Sequence, residues 1–282
     1  MITIYNYRRI KNNLALAVLF FLTVLALIPL GIILIHVIKS GYQTISFEFL
    51  TQLPVSIGEP GGGIAHALVG SLKMLLIASL FAIPIGILSG AYLSEYSNGK
   101  WPTVFRFVVN LMTGIPSIVI GLFVYAIIVV PMKGFSAIAG SLALALLMLP
   151  IIIKSTEEIL KLIPQSTREA GLALGLPRHK VILRIILKGS FPGLTTGVLL
   201  AVARVSGETA PLLLTAFGNS FWSESLKQPS ASLTVQIYNY ATSPFQEWHK
   251  QAWACALILL FFVLGINLSA RFILKMTKKV SK

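Results

Sequence analysis

Residues 14–38 read LALAVLFFLTVLALIPLGIILIHVI and contain no Asp, Glu, Lys or Arg. About 20 apolar residues in a helix cross the roughly 30 Å hydrocarbon core of a membrane, and this stretch is longer than that. It is also longer than the apolar core of a signal peptide, and no small-residue cleavage site follows it. We therefore interpret it as an uncleaved membrane-spanning helix.

Five further stretches meet the same length requirement, at residues 68–93, 104–130, 135–153, 195–217 and 252–274. The composition agrees, because 56% of the 282 residues are hydrophobic and only 11% are charged, whereas soluble domains carry about 25% charged residues. The mean hydropathy is +0.84. The sequence predicts an all-α polytopic membrane protein with about six transmembrane helices, in one domain over residues 1–282.

The positive charges are distributed asymmetrically between the two sets of loops. One set holds four, and the other holds seventeen, namely Arg8, Arg9, Lys11, Lys100, Arg106, Lys154, Lys161, Arg168, Arg178, Lys180, Arg184, Lys188, Arg271, Lys275, Lys278, Lys279 and Lys282. Cytoplasmic loops carry the excess of Lys and Arg, so we expect both termini to be cytoplasmic. The net charge of +14 then indicates topology and contact with anionic lipid rather than nucleic-acid binding.

The sequence lacks the residues that a disulfide, a metal site or a nucleotide-binding loop would need. A single cysteine, Cys255, allows no internal disulfide and no Cys-based metal site, and the four histidines share no metal-ligand spacing. No GxxxxGK[ST] phosphate-binding loop occurs in the chain. We therefore expect no enzyme activity, no metal and no cofactor bound by this chain.

The longest cytoplasmic loop, residues 154–190, has the pattern of two short helices. Pro164 is suited to the start of a helix, Gly175 to a left-handed stop, and Pro177 to the start of a second helix. Small residues at 170, 171 and 173 would allow another protein to approach closely. The pattern predicts a knob that projects from the membrane.

These residues resemble the Glu-Ala-Ala loop of ABC-importer permeases, whose pattern is roughly E-A-A-x3-G-x9-I-x-L-P. The matching positions are Glu169, Ala170, Gly175, Ile185 and Leu187, while Gly171 replaces the second alanine and Lys188 replaces the proline. The resemblance implies that Glu169, Ala170, Gly171 and Gly175 couple this chain to an ATPase subunit. An ordinary amphipathic linker is the alternative interpretation.

The fifth span contains a positive and a negative residue, Arg204 and Glu208, one helical turn apart. An arginine at the membrane centre costs about 2.5–3.5 kcal/mol on insertion scales, so it is expected to face a partner or a watery cavity. Two interpretations stay open: an ion pair that only stabilises packing, or a substrate-facing site. A guanidinium suits an oxyanion, and a neighbouring carboxylate suits one that still carries a proton, such as phosphate. Gly207 and Pro211 are expected to loosen the helix here.

The stretch around this pair, SGETAPLLLT at 206–215, resembles the signature of phosphate-specific ABC permeases. GIPSIVIGLF at 114–123, STEE at 155–158 and SLTVQIYN at 232–239 resemble the same family, particularly its A-type subunits. The resemblance implies a type I ABC-importer permease fold and a multi-pass subunit of the bacterial inner membrane. It also implies a second, homologous permease subunit, an ATPase dimer that binds ATP and Mg, and an external phosphate-binding protein. The implied function is phosphate import by alternating access, with Arg204 and Glu208 on the substrate pathway.

Three alternatives to phosphate import remain at this stage: import of another oxyanion (molybdate, sulfate or phosphonate), a secondary transporter, and a membrane enzyme that uses Glu208 as acid and base. Gly114 and Pro116 predict a kink in the third span. Lys154 is interpreted as part of the cytoplasmic positive charge, with a role in phosphate exit as the alternative. Residues 230–242 are either an interfacial helix or a surface for the binding protein.

Overall fold

The structure is a computed structural model that describes residues 2–56, 61–96 and 99–280. In these residues the chain forms helices and connecting segments without strands. The helices are α1 Ile2–Tyr42, α2 Phe47–Thr51, α3 Ala65–Glu95, α4 Lys100–Gly114, α5 Ser117–Val124, α6 Val130–Met132, α7 Ala137–Lys161, α8 Gln165–Ala173, α9 Arg178–Val181, α10 Leu187–Gly189, α11 Phe191–Val205, α12 Ala210–Thr215, α13 Leu233–Ala241 and α14 Gln246–Val280. Two π-helical turns, Tyr125–Val129 and Ile182–Ile186, join α5 to α6 and α9 to α10.

Among the described residues, four helices are long and apolar enough to span a membrane: α1, α3, α7 and α14. They coincide with the predicted spans at 14–38, 68–93, 135–153 and 252–274, except that α7 begins two residues later than predicted. Residues 275, 278 and 279, which belong to the predicted cytoplasmic charges, lie in the last turns of α14, and Lys282 lies outside the described residues.

The third predicted span is not one straight helix. The structure divides it into α4 and the segment Ser117–Met132, which meet at an angle of 106°. Pro116 supplies no backbone N–H and disfavours helix at the residue before it. The predicted kink is therefore present but much sharper than a bend within one helix.

The fifth predicted span is also interrupted. Helix α11 ends at Val205, and α12 begins only at Ala210. On its other side, α11 meets the segment Arg178–Gly189 at 73°. The bent pairs bring the number of candidate spans to at most six.

The centre of the bundle is the packing of α3 against α7. The two helices approach closely because α3 presents glycines to α7: Gly86 lies against Ile152, and Gly90 lies against the carbonyl of Ile153. Small residues at helix interfaces allow the van der Waals contacts that hold membrane helices together. Met74 and Met148 are fully buried in the same cluster.

Helix α1 lies apart from this core. None of its most apolar window is buried, and it contacts the bundle near its end, where the His36 ring lies 4.6 Å from the Trp253 ring of α14. A helix that is apolar on every side and unburied requires hydrocarbon or another apolar protein surface around it.

The segment that includes α13 packs against the end of the bundle where α3 begins. The hydroxyl of Ser71 on α3 accepts a hydrogen bond from the Leu233 N–H at 2.8 Å. Leu233 is fully buried, and the carbonyl of Ala231 occupies the space where a side chain at Gly70 would begin. The beginning of α13 is therefore structural rather than a free surface, while Tyr238 near its end is exposed.

Gly90→Ala should lower the melting temperature of the purified protein. The added Cβ would lie 2.6 Å from the Ile153 carbonyl oxygen, a backbone atom that cannot rotate away, and overpacking of this kind costs about 1–3 kcal/mol. Gly31→Ala in α1 is the matched control, because nothing lies within 4 Å of its Cβ position. Equal melting temperatures for the two variants would contradict the close α3–α7 contact.

Candidate functional site

Two breaks between helices and one proline within a helix meet at a cavity of about 160 Å³. The breaks lie between α4 and α5 and between α11 and α12, and Pro150 lies inside the continuous helix α7. The lining residues are Met112, Thr113, Ile115, Pro116, Ser117, Leu147, Pro150, Ile151, Arg204, Val205 and Glu208. Non-helical backbone at membrane depth is tolerated where it is buried in protein or lines a water-filled cavity, so this arrangement is typical of a substrate pathway.

Arg204 and Glu208 both line this cavity, and they do not form the ion pair that was one of the two interpretations of their spacing. The described ion pairs include neither of them. The physical reason is the end of α11 at Val205, since residues at i and i+4 face each other only within a continuous helix. The prediction of a substrate-lining pair is unaffected, while the interpretation as a packing ion pair loses its basis.

The break leaves the two groups in different environments. The Arg204 side chain is exposed on the surface of the isolated chain, and Glu208 is half-buried. The freed carbonyl of Glu208 accepts a hydrogen bond from the Thr234 hydroxyl of α13 at 2.9 Å. The backbone of the break is thereby held by α13, while the guanidinium stays available to a ligand or another subunit.

A second cation lies beside the cavity. The Lys154 ammonium on α7 donates to the Thr113 hydroxyl at 3.1 Å, and Thr113 lines the cavity together with Arg204. In the sequence, Lys154 is one of many cations in the loops that we expect to be cytoplasmic, and no pattern marks Thr113 as a functional residue. Only the packing of α4 against α7 brings them together.

The knob, which we define as α8, α9, the π turn Ile182–Ile186 and α10, has the predicted helices and turn. Pro164 and Pro177 immediately precede α8 and α9. Gly175 has φ +77° with open space around it, which is the left-handed conformation that glycine adopts without strain. The loop that the sequence predicts at residues 154–190 begins later than predicted, because α7 continues to Lys161.

The four proposed coupling residues do not all lie on the same face of the knob. Glu169, Ala170 and Gly175 are exposed. Gly171 is buried instead, and a Cβ on it would lie 3.0 Å from Val181 and from Ile185. Its small size therefore serves packing between α8 and the second part of the knob, which distinguishes it from a residue that another protein could touch.

The structure thus separates the predicted residues into two sites, the cavity with Arg204 and Glu208 and the exposed face of the knob. Among the residues described, no group of three or more His, Cys, Asp or Glu side chains is arranged to hold a metal ion.

The chain matches proteins of known families over most of its length. Residues 82–279 match the sequence model of the family "Binding-protein-dependent transport system inner membrane component". In three dimensions, the chain superimposes on a subunit of the MetNI methionine ABC transporter in inward-facing conformations with a TM-score of 0.60. That match covers 76% of this chain and 94% of the other at 17% identity, and it shows the permease fold of ABC importers.

Curated relatives are closer in sequence. The phosphate transport system permease protein PstA of Yersinia pestis is 44% identical over 268 residues, 95% of this chain and 91% of that protein. The PstA of Pasteurella multocida is 42% identical over 270 residues. A probable PstA of Methanocaldococcus jannaschii is 38% identical over 95% of both chains. The chain therefore belongs to the family of inner membrane components of binding-protein-dependent transport systems, among the PstA permeases of phosphate transport systems.

Proposed function

We propose that this chain is a membrane permease subunit of an ATP-driven importer of inorganic phosphate. The observation that supports it most directly is the cavity where two helix breaks meet, lined by an exposed guanidinium in the last turn of α11. The family membership supports the transport class, and the curated relatives support phosphate as cargo.

The chemistry of the cavity suits phosphate better than a fully ionised oxyanion. The Arg204 guanidinium offers two parallel N–H donors to two oxygens of the anion. Glu208, on the same cavity, accepts a hydrogen bond from a protonated oxygen but repels a bare one. Phosphate near neutral pH carries such a proton, whereas sulfate does not.

The exposure of Arg204 in the isolated chain indicates that this side of the cavity is completed by another subunit. A charge left in hydrocarbon would cost several kcal/mol, so the surface around it faces water or protein. We infer a second, homologous permease subunit on this side, with the substrate pathway between the two. The helix breaks on either side of the cavity are the places where backbone angles can change between outward-open and inward-open states.

The energy of ATP hydrolysis is transmitted to this chain through the knob. Exposed Glu169 and Ala170, next to the turn at Gly175, form a surface for a separate ATPase subunit, and two such subunits would bind ATP and Mg. An external phosphate-binding protein delivers the cargo. The Lys/Arg distribution supports a bacterial inner-membrane orientation with both termini cytoplasmic. The whole chain is one permease domain, without catalytic activity of its own.

Competition in uptake tests the cargo. In vesicles that contain the complete complex, excess unlabelled phosphate should abolish uptake of radiolabelled phosphate, and excess sulfate, molybdate or phosphonate should not. Uptake should require ATP inside, which separates this function from that of a secondary transporter. Uptake blocked by sulfate but not by phosphate would contradict phosphate as the cargo.

Arg204→Gln should assemble normally and lose transport. No ion pair is broken by the change, so the amount of complex should match the wild type. Uptake should fall on the order of 10- to 100-fold, because a hydrogen bond to a charged group contributes about 1.5–3 kcal/mol. Arg204→Lys keeps the positive charge but not the two parallel N–H donors of the guanidinium, so uptake by this variant should also be strongly impaired. Phosphate uptake is measured per assembled complex.

The matched control for charge removal is Lys250→Gln, whose side chain is 60% exposed at the start of α14. The double variant Arg204→Gln with Glu208→Gln should stay inactive. Wild-type uptake by that double variant would exclude the cavity pair from the pathway.

Gly175→Val should weaken ATPase docking without affecting membrane insertion. A β-branched residue at φ +77° is strained, so the turn that presents Glu169 would change shape. Gly189→Val is the matched control, since Gly189 is also exposed in the same cytoplasmic region with nothing within 4 Å, and its φ is not positive. Glu169→Lys should reduce docking through charge alone. ATPase co-purification is the measurement, and normal yields with Gly175→Val and Glu169→Lys would contradict the docking assignment.

A further inference from the structure

The knob is connected to the ends of the membrane helices by two arginines, Arg168 and Arg178, and by an apolar cluster that includes Ala91, Leu160 and Val181. Helix α8 packs against the second part of the knob, and Gly171 is its buried residue. Between α8 and the bundle lies a cavity of about 730 Å³, lined among others by Ser94, Gln165 and Leu172. Arg168 reaches from α8 across this cavity.

Arg168 binds two spanning helices at once. Its Nε donates to Glu95 Oε1 at 2.9 Å and to Oε2 at 3.1 Å, and its Nη2 donates to Oε1 at 2.7 Å. Glu95 is the last residue of α3. The same guanidinium donates to the carbonyls of Leu160 at 2.9 Å and Ile163 at 2.7 Å, at the end of α7. One side chain therefore ties α8 to the cytoplasmic ends of both α3 and α7.

The Glu95 carboxylate depends on this contact. Its side chain is only 3% exposed, and it lies at a helix C-terminus, where the helix dipole disfavours negative charge. The carbonyl of Leu160 already accepts the Leu162 and Ile163 N–H groups, and Arg168 adds a charged donor to it and to the Ile163 carbonyl just beyond α7. Arg168 therefore compensates the Glu95 charge and also donates to these two carbonyls, which makes the contact specific in position as well as in charge.

The second part of the knob holds the same end of α3. Arg178 of α9 donates to the backbone carbonyl of Glu95 at 2.6 Å, and its guanidinium carbon lies 4.5 Å from the centre of the Tyr96 ring. Helices α8 and α9 of the knob are thus both attached to the last turn of α3. Since α3 and α7 pack closely through Gly86 and Gly90, a displacement of the knob moves the two as a unit.

We propose that the Arg168–Glu95 pair is a positioning device that transmits movement of the docking knob to α3 and α7. This proposal rests on the proposed function. Arg168 and Glu169 are neighbours in the chain, the first pointing to the bundle and the second to solvent. A push applied by the ATPase at Glu169 therefore passes directly to the ends of the two central helices. Helix α7 carries Pro150 and Lys154, so the movement reaches the cavity wall.

Neutral substitutions at the pair test this role. Arg168→Gln or Glu95→Gln alone leaves an unpaired buried charge or an unsatisfied group, so either could reduce folding. The double variant Arg168→Gln with Glu95→Gln leaves no charge and is the decisive one. Its matched control is Lys250→Gln with Glu247→Gln, which removes an exposed ion pair at the start of α14. Each complex is reconstituted with its ATPase, second permease subunit and binding protein.

Two ratios are measured: ATPase bound per permease, and phosphate transported per ATP hydrolysed. We expect the double variant to bind the ATPase as the wild type does and to transport less phosphate per ATP, on the order of tenfold less. The Arg168→Lys variant should transport an amount of phosphate per ATP that lies between those of the wild type and the double variant. The reason is that an ammonium keeps the charge but cannot reach all the acceptors at once. The control should match the wild type in both ratios.

A wild-type transport ratio in the assembled double variant would overturn the proposal, even if less complex is recovered, because the pair would then only stabilise the fold. A failure of the proposed function would be a separate result, because it is measured as the anion that the wild-type complex accumulates. If the wild-type complex accumulates another oxyanion instead of phosphate, the same ratio is measured with that oxyanion.

Discussion

The need to satisfy every backbone hydrogen bond in hydrocarbon determines how this chain is built. Unbroken helices meet that need by themselves, so interrupted backbone is tolerated only beside protein or water. The interruptions at Pro116 and after Val205 both lie at one cavity, which Pro150 of α7 also lines. The same constraint that forces helices on the spans therefore concentrates polar backbone and the exposed Arg204 at one place, which is where we propose that an anion binds.

A rigid part and an adjustable part follow from this arrangement. Helices α3 and α7 are continuous along their contact, and the glycines of α3 bring the backbones close, so the pair resists bending. Around it, α4 with α5 and α11 with α12 meet at breaks whose angles can change. Alternating access needs both properties, because a motion must be carried over the length of the membrane and then converted into opening or closing of the cavity.

Arg168 and Arg204 differ in their surroundings and hence in the roles that we propose for them. Arg168 is 14% exposed and engages one carboxylate and two carbonyls, so its position is tightly determined. Arg204 is exposed and has no described ion pair, so its donors are free for a ligand. A fully engaged guanidinium suits the transmission of movement, and a free one suits the binding of an oxyanion.

The sequence by itself determined the apolar spans, the charge asymmetry, the knob with helix starts after Pro164 and Pro177, and the interruptions expected in the third and fifth spans, because each depends on neighbouring residues. The tertiary structure decided the rest. Arg204 and Glu208 form no ion pair because the helix ends between them, and Gly171 faces inward because α8 packs on the π turn. The Arg168–Glu95 pair joins residues 73 positions apart. Such a pairing follows from how whole helices pack, and no local pattern of residues contains that information.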